Sequence, residues 1–301
     1  MQLEIEKTLP STPIAGAFAA GFSRGKLQVG TLFAGRYEIQ SVLGVGGMGI
    51  VYKAYDRELD DVVAIKTLRW EALSADRTLL DHFKQEIRLA RRITHPNVLR
   101  TYDLGESNGL RFLSMEFVEG RTLKHLVETG EVLPTAVGLR IAKQVCAGLA
   151  AAHEVGVIHR DVKSQNIIVE PTGGLKIMDF GTARVTEDRG ATGAVIGTPD
   201  YMSPEQVRGL PLDCRSDIYS AGVVLYEVFT GSLPFEGDSP LAVVLKHVND
   251  AAPLPQWKNP WIEPRIAAIL MKCLEKDPAA RFQSMGELSE ALARVTVRHA
   301  A

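Results

Sequence analysis

The 301 residues carry 34 Lys plus Arg against 36 Asp plus Glu, a formal charge of −2, with 46% hydrophobic and 23% charged residues. That balance fits an ordinary globular protein of two domains, or one two-lobed unit, with enough apolar material for a core. It argues against a chain built to grip nucleic acid, because no basic excess is present to displace counterions from phosphates. Cys146, Cys214 and Cys273 are widely spaced and form no CxxC pair, which points to reduced thiols rather than a metal site or disulfide framework. No stretch nears the roughly 20 apolar residues that cross a bilayer. The apolar run from Ile14 to Phe22 follows Glu4 and Glu6, where a signal peptide would carry positive charge. A cytoplasmic location, with no membrane segment in this chain, is the expectation.

Residues 1–33 mix Pro10, Ser11, Thr12 and Pro13 with several glycines and hold no period, so a flexible leader is expected there. Ordered structure is expected from about Tyr37, with strand-like runs YEIQSVLG, GIVYKAYD and VVAIKTL separated by turn signals at Gly44 to Gly49 and Asp60-Asp61. Residues 76–93 place Leu80, Phe83, Ile87 and Ala90 at helical spacing, with Glu86 at the margin of the stripe and His95-Pro96 ending the run. Two further strand-like runs, VLRTYDLG and LRFLSMEFV, complete a β-rich segment with one helix.

Beyond Glu119 the pattern becomes helical, over Thr135 to His153, Asp217 to Thr230 and 263–275. The run DIYSAGVVLYEVFTG is apolar on nearly every face and so belongs in a core, with Ser216 or Asp217 as its cap and Gly231 as its stop. The expected organisation is a leader at 1–33, a small lobe at 34–118, a large lobe at 119–295 and a tail at 296–301.

Two clusters carry chemistry. In GVGGMGIV, Gly44, Gly46 and Gly49 fit G-x-G-x-x-G, a spacing shared with dinucleotide sites. A dinucleotide site needs a helix at the third glycine and an acidic residue about 20 positions on. Here a strand-like run follows, and the residue near that position is Lys66, a cation suited to phosphate. The second cluster, HRDVKSQN at 159–166, is followed by strand-like runs and IMDFG, which return Asp179 beside Asp161 and Asn166. Asn166 and Asp179 make a sparse oxygen site of the kind that holds Mg²⁺ together with phosphate oxygens.

GxGxxGxV, VAIK, HRDxKxxN, DFG and the P-E of MSPEQVRG, in this order, resemble the protein kinase family over residues 37–295. The LGVGGMGIVY and SDIYSAGVVLYEVFTG forms are most similar to bacterial serine/threonine kinases of the eukaryotic-like type. The resemblance implies an α+β, two-lobed protein kinase fold: a small antiparallel β-rich lobe with one key helix, and a larger helical lobe. It implies a non-specific serine/threonine protein kinase that transfers the γ-phosphate of ATP to protein substrates, with Mg²⁺ or alternatively Mn²⁺. A pseudokinase or signalling scaffold is the competing class, disfavoured by the complete set of charged positions.

Carried over by position, Gly44, Val45, Gly46, Gly47, Met48 and Gly49 cover the ATP phosphates, Leu43 also belongs to the ATP-binding set, and Val51 and Ala64 pack on the adenine. Met115 stands at the gatekeeper position, and the Glu116 carbonyl and Val118 amide bond the adenine edge. Lys66 binds the α and β phosphates and pairs with Glu86. Asp161 orients the acceptor hydroxyl, Lys163 neutralises the transferring phosphate, and Asn166 and Asp179 hold the metal. Lys163 and Thr198 both point to Ser/Thr acceptors. Arg160 awaits a phosphate on Thr192 or Thr186, giving activation by autophosphorylation. Glu205 and Arg281 form an anchoring ion pair, and Asp217 supports the catalytic loop. Ser164 stands where Pro is common, and Ser203 where Ala is common. The resemblance also allows a homodimer through the small lobes.

Overall fold

Along Gly49–Asp56 burial alternates residue by residue, with Ile50, Tyr52 and Ala54 inward, as a strand covered on one face requires. The computed structural model describes residues 26–46, 49–68, 84–85, 87–128, 132–180 and 199–295. In it β1 (Leu32–Phe33), β2 (Tyr37–Gly46), β3 (Gly49–Asp56), β4 (Asp61–Leu68), β5 (Thr101–Ser107) and β6 (Leu110–Glu116) form one antiparallel sheet, in the order β1-β2-β3-β4-β6-β5. Ordered structure thus starts earlier than expected. Leu32 and Phe33 pair with Glu38 and Tyr37, and the Leu27 amide donates to the buried Tyr52 hydroxyl at 3.0 Å. Residues 1–25 of the expected leader and the tail at 296–301 lie outside the described residues.

Ile87 and Ala90 are buried on the helical segment that closes at Ala90, while Leu80, Phe83 and Glu86 lie outside the described residues. The next run differs from expectation at its start. Val98 and Leu99 leave the small sheet and join the large lobe: Val98 bridges Ile177, and the Leu99 amide donates to the Ile177 carbonyl at 2.9 Å. The large lobe adds a short sheet of β7 (Arg121–Thr122), β8 (Ile167–Val169) and β9 (Leu175–Ile177), in that order.

Its core is built on the helices Thr135–Glu154, Cys214–Thr230 and Pro264–Cys273. From Ser216 to Thr230 every residue of the central helix is buried, as its all-round apolar face demands. The cap differs from expectation: the helix begins a turn earlier, with Asp213 accepting from the Arg215 amide, and Gly231 closes it in the left-handed conformation at φ 72°. Asp217 is diverted to another task. A third apolar cluster, including Ala64, Leu113 and Met115 with Val51, Val118, Ile168 and Met178 against it, joins the two lobes.

Candidate active site

The hairpin of β2 and β3 pairs Gly44 with Val51 and Gly46 with Gly49, and its tip at Gly47 and Met48 lies outside the described residues. The glycines differ in kind. A Cβ on Gly49, at φ 153°, would collide with the Thr67 carbonyl, so the fold itself requires that glycine. Among the described residues a Cβ on Gly44 would meet nothing within 4 Å, and one on Gly46 only the Gly49 carbonyl at 4.0 Å. Leu43 and Val45 are exposed.

Under the hairpin, Val51 pairs with Lys66 on β4, and Ala64 with Met115 on β6. The strands therefore deliver Lys66 and the apolar floor to one cleft. Behind Met115 a hollow of about 20 Å³ reaches Asp179 and Phe180, with room for little more than a water. The Glu116 side chain ends in an ion pair with Lys176 of β9 at 2.8 Å and accepts from the Arg100 amide at 3.2 Å, tying the connection between lobes to both. The sequence reading missed Lys176, Ile168 and Met178; the flanking positions of Ile168 after Asn166, and of Met178 before Asp179, were the available signal.

The large lobe supplies the charged groups. Asp161 Oδ2 accepts from Lys163 Nζ at 2.8 Å and from Asn166 Nδ2 at 2.9 Å, while Asn166 Nδ2 also donates to the Asp161 carbonyl at 2.9 Å. Among the described residues Oδ1 accepts no hydrogen bond, and the side chain is 30% exposed. Asp179 meets Lys66 at 2.5 Å, across the two lobes. Burial pushes the Asp179 carboxyl up, but Lys66, supported by His159 and Lys163, outweighs it and holds the group below the ordinary carboxylate range. Glu86, expected as the partner of Lys66, lies outside the described residues.

Two residues of the site sit in the left-handed region, Arg160 at φ 67° and Asp179 at φ 61°. For non-glycine residues that conformation persists only where the surroundings enforce it. At Arg160, Asp217 supplies the enforcement: Oδ1 accepts from the Arg160 amide at 2.9 Å, and Oδ2 from the His159 amide at 2.8 Å. His153 Nε2 adds 2.7 Å to Oδ2. Burial pushes this carboxyl up, yet the His153 and backbone donors prevail and keep it below the usual range. His159 accepts from the Asp161 amide at Nδ1 (3.2 Å) and so carries its proton on Nε2, which donates to the Met178 carbonyl at 2.8 Å. It links the Asp161 and Asp179 segments as scaffold.

The segment after the cleft is anchored from several sides. Gln206 Nε2 donates to the Arg160 carbonyl at 2.6 Å. Ser203 and Gln206 form a reciprocal cap on the Pro204–Val207 helix. Ser164 Oγ lies 2.8 Å from the Tyr201 hydroxyl, which donates to Glu227 at 2.7 Å, and Lys124 balances Glu227 at 2.8 Å. Arg281 grips Glu205 with two bonds at 2.7 and 2.9 Å. Thr186, Thr192 and Thr198 lie outside the described residues.

This donor set suits a hard divalent cation. Asn166 spends its nitrogen on Asp161, which leaves its amide oxygen to offer, and Asp179 is held ionised. Among the described residues no group of three or more His, Cys, Asp or Glu could hold a metal, so a cation held by Asn166 and Asp179 would need further ligands from elsewhere, such as phosphate and water.

Residues 37–293 match the protein kinase domain family. A probable serine/threonine-protein kinase of Clostridium acetobutylicum is 38% identical over 89% of this chain and 41% of its own length. The serine/threonine-protein kinase PknB of Mycobacterium leprae is 40% identical over 86% of this chain and 43% of its own length. The chain thus spans less than half the length of these curated relatives. The crystal structure of the Mycobacterium tuberculosis PknI kinase domain superposes with TM-score 0.71 at 27% identity, covering 89% of this chain and 99% of that one.

Proposed function

Because the chain belongs to the protein kinase domain family, we propose that it transfers the γ-phosphate of ATP to serine and threonine hydroxyls of proteins. The observation that carries this reading is the meeting of Asp161, Lys163 and Asn166 with the Lys66–Asp179 pair where the lobes join. Phosphoryl transfer asks for positioning and charge neutralisation more than for covalent chemistry. Lys66 draws the α and β phosphates under the hairpin, where Gly44 and Gly46, without side chains, let backbone amides approach them. Asp161 Oδ1 receives and orients the acceptor hydroxyl, and Lys163 faces the charge on the phosphoryl group in transit. Asn166 and Asp179 would hold Mg²⁺, or Mn²⁺ in its place, which supplies neutralisation of the phosphate oxygens. Val51, Ala64, Met115, Ile168 and Met178 receive the adenine, with the Glu116 carbonyl and Val118 amide at its edge.

Activation by phosphorylation of Thr192, or of Thr186, belongs to the same reading, with Arg160 as the receiving cation. Three free thiols and a need for ATP favour the cytoplasm, and among the described residues no helix is long and apolar enough to cross a membrane. Pairing of small lobes remains part of the proposal.

Incubation with labelled ATP and Mg²⁺, followed by phosphosite mapping, tests activity, acceptor type and autophosphorylation together. Asp161→Asn keeps the hydrogen-bonding shape of the loop and should melt like the parent, while losing about 10²–10⁴-fold in turnover. Undiminished transfer by that variant overturns the role of Asp161.

A further inference from the structure

A chain of hydrogen bonds runs from Lys276, after the Pro264–Cys273 helix, to the Pro199–Tyr201 turn. Lys276 Nζ donates to the Tyr219 hydroxyl at 3.2 Å, and that hydroxyl lies 3.0 Å from His247 Nδ1. His247 Nε2 lies 3.0 Å from the Asp200 carbonyl. Tyr219 and His247 are both fully buried. A carbonyl only accepts, so Nε2 carries a proton. Burial, and then the nearby Lys276 cation, push His247 down to about 4, so near neutral pH the ring is uncharged and Nδ1 accepts from Tyr219. Every donor in the chain therefore points the same way, toward Asp200.

The ring and the cation are also packed in place. Phe235 meets His247 edge to face at 4.8 Å, and Lys276 Nζ sits 4.5 Å from the Phe235 ring centre. Lys276 further donates to the His247 carbonyl at 2.8 Å, near the end of the Pro240–Asn249 helix. The next carbonyl along, that of Tyr201, accepts from Ser220 Oγ at 2.8 Å. Two successive carbonyls of the Pro199–Tyr201 turn are thus held by two different helices, while the Tyr201 hydroxyl reaches Ser164, three residues after Asp161. Through the Tyr201–Ser164 contact and the Gln206 bond to the Arg160 carbonyl, this turn is tied to the loop that carries Asp161.

We propose that His247, oriented by Tyr219 and Lys276, is a positioning residue for protein substrates, setting the height of the Pro199–Tyr201 shelf through the Asp200 carbonyl. The inference rests on the kinase reading for its catalytic consequence, and on the fold alone for the tether. His247→Leu removes the donor at similar volume and leaves the carbonyl without its partner. His247→Gln spaces an N–H and an acceptor much as the imidazole does.

The test measures KM for a peptide picked from a Ser/Thr library by wild-type turnover, KM for ATP, and amide hydrogen exchange over 199–203. His247→Leu should raise the peptide KM by at least about fivefold, the equivalent of one lost hydrogen bond, with the ATP KM unmoved and exchange faster. His247→Gln should restore all three. An unmoved peptide KM, an equal rise in both constants, or a Gln variant that exchanges like wild type without recovering the peptide KM overturns the proposal. If His247→Leu does not fold, Tyr219→Phe deletes only the middle hydroxyl, and an unchanged peptide KM in that variant is equally fatal. A wild-type protein that phosphorylates no library member refutes the kinase reading instead, and the exchange measurement still decides the tether.

Discussion

Among single residues, the three motif glycines show how one pattern can hide two causes. Among the described residues Gly44 and Gly46 have no close neighbour where a Cβ would stand, whereas Gly49 is hemmed in by the Thr67 backbone. Gly49→Ala should therefore lower stability by about 1–3 kcal/mol, the usual cost of overpacking, as read from denaturant or thermal unfolding. Gly44→Ala should leave the melting temperature nearly unchanged and act on the KM for ATP. Equal melting temperatures for the two variants would contradict this division. The spacing of the glycines was legible in the sequence; which one the fold demands was not, because the obstructing atom belongs to a different strand. Ser203 is a second case. Its oxygen caps the Pro204–Val207 helix, a local motif visible as Ser and Gln three apart.

At the level of elements, the Cys214–Thr230 helix organises the large lobe. Its first turn sends Asp217 to the backbone before Asp161, and Ser216 Oγ donates to Glu205 at 2.7 Å. Arg281 places all of its donors: Nε on the Glu275 carbonyl, Nη1 on Glu205 and the Arg215 carbonyl, Nη2 on Glu205 and the Lys276 carbonyl. Glu205→Gln leaves a buried guanidinium without its counter-charge and should cost about 3–5 kcal/mol by calorimetry or denaturant titration. Burial pushes the Glu205 carboxyl up, but Arg281 and Ser216 together hold it below its ordinary 4.5. The unfolded chain then binds the proton first on acidification, so this stabilisation is present in full above about pH 4.5 and is lost as pH falls through the lower folded value. The stability gap between wild type and Glu205→Gln should accordingly narrow below pH 4.5, and a gap independent of pH would refute the assignment. The helix itself was legible from its apolar run. Its start was not, because Asp213 and Asp217 lie one turn apart and either could cap; Asp213 does so because Asp217 is drawn inward by loop amides and His153.

Across the whole molecule, residues 97–99 bind one lobe to the other. Asn97 Nδ2 donates to Gln144 Oε1 at 3.0 Å and to the Leu175 carbonyl at 2.9 Å, and its own carbonyl accepts from the Ile177 amide at 2.9 Å. Asn97→Ala should lower stability by about 1–2 kcal/mol, since two modest hydrogen bonds disappear, and the matching fall in melting temperature checks it. An unaltered melting temperature would mean the side chain adds nothing to the seam. Amino-acid order alone pointed to a β-rich part followed by a helical part and to the glycine hairpin, while the charged residues of the cleft were named through ordered motifs that resemble the protein kinase family. The first two depend on periodicity and on chemistry carried within a few residues, the last on the order of motifs along the chain. The tertiary structure alone decided that 97–99 joins the large lobe, that Lys176 grips Glu116, and that Lys276, Tyr219 and His247 line up on Asp200. Those choices join positions far apart in the chain, and the partner of a buried polar group is set by which donors and acceptors packing brings within reach, not by its neighbours in sequence.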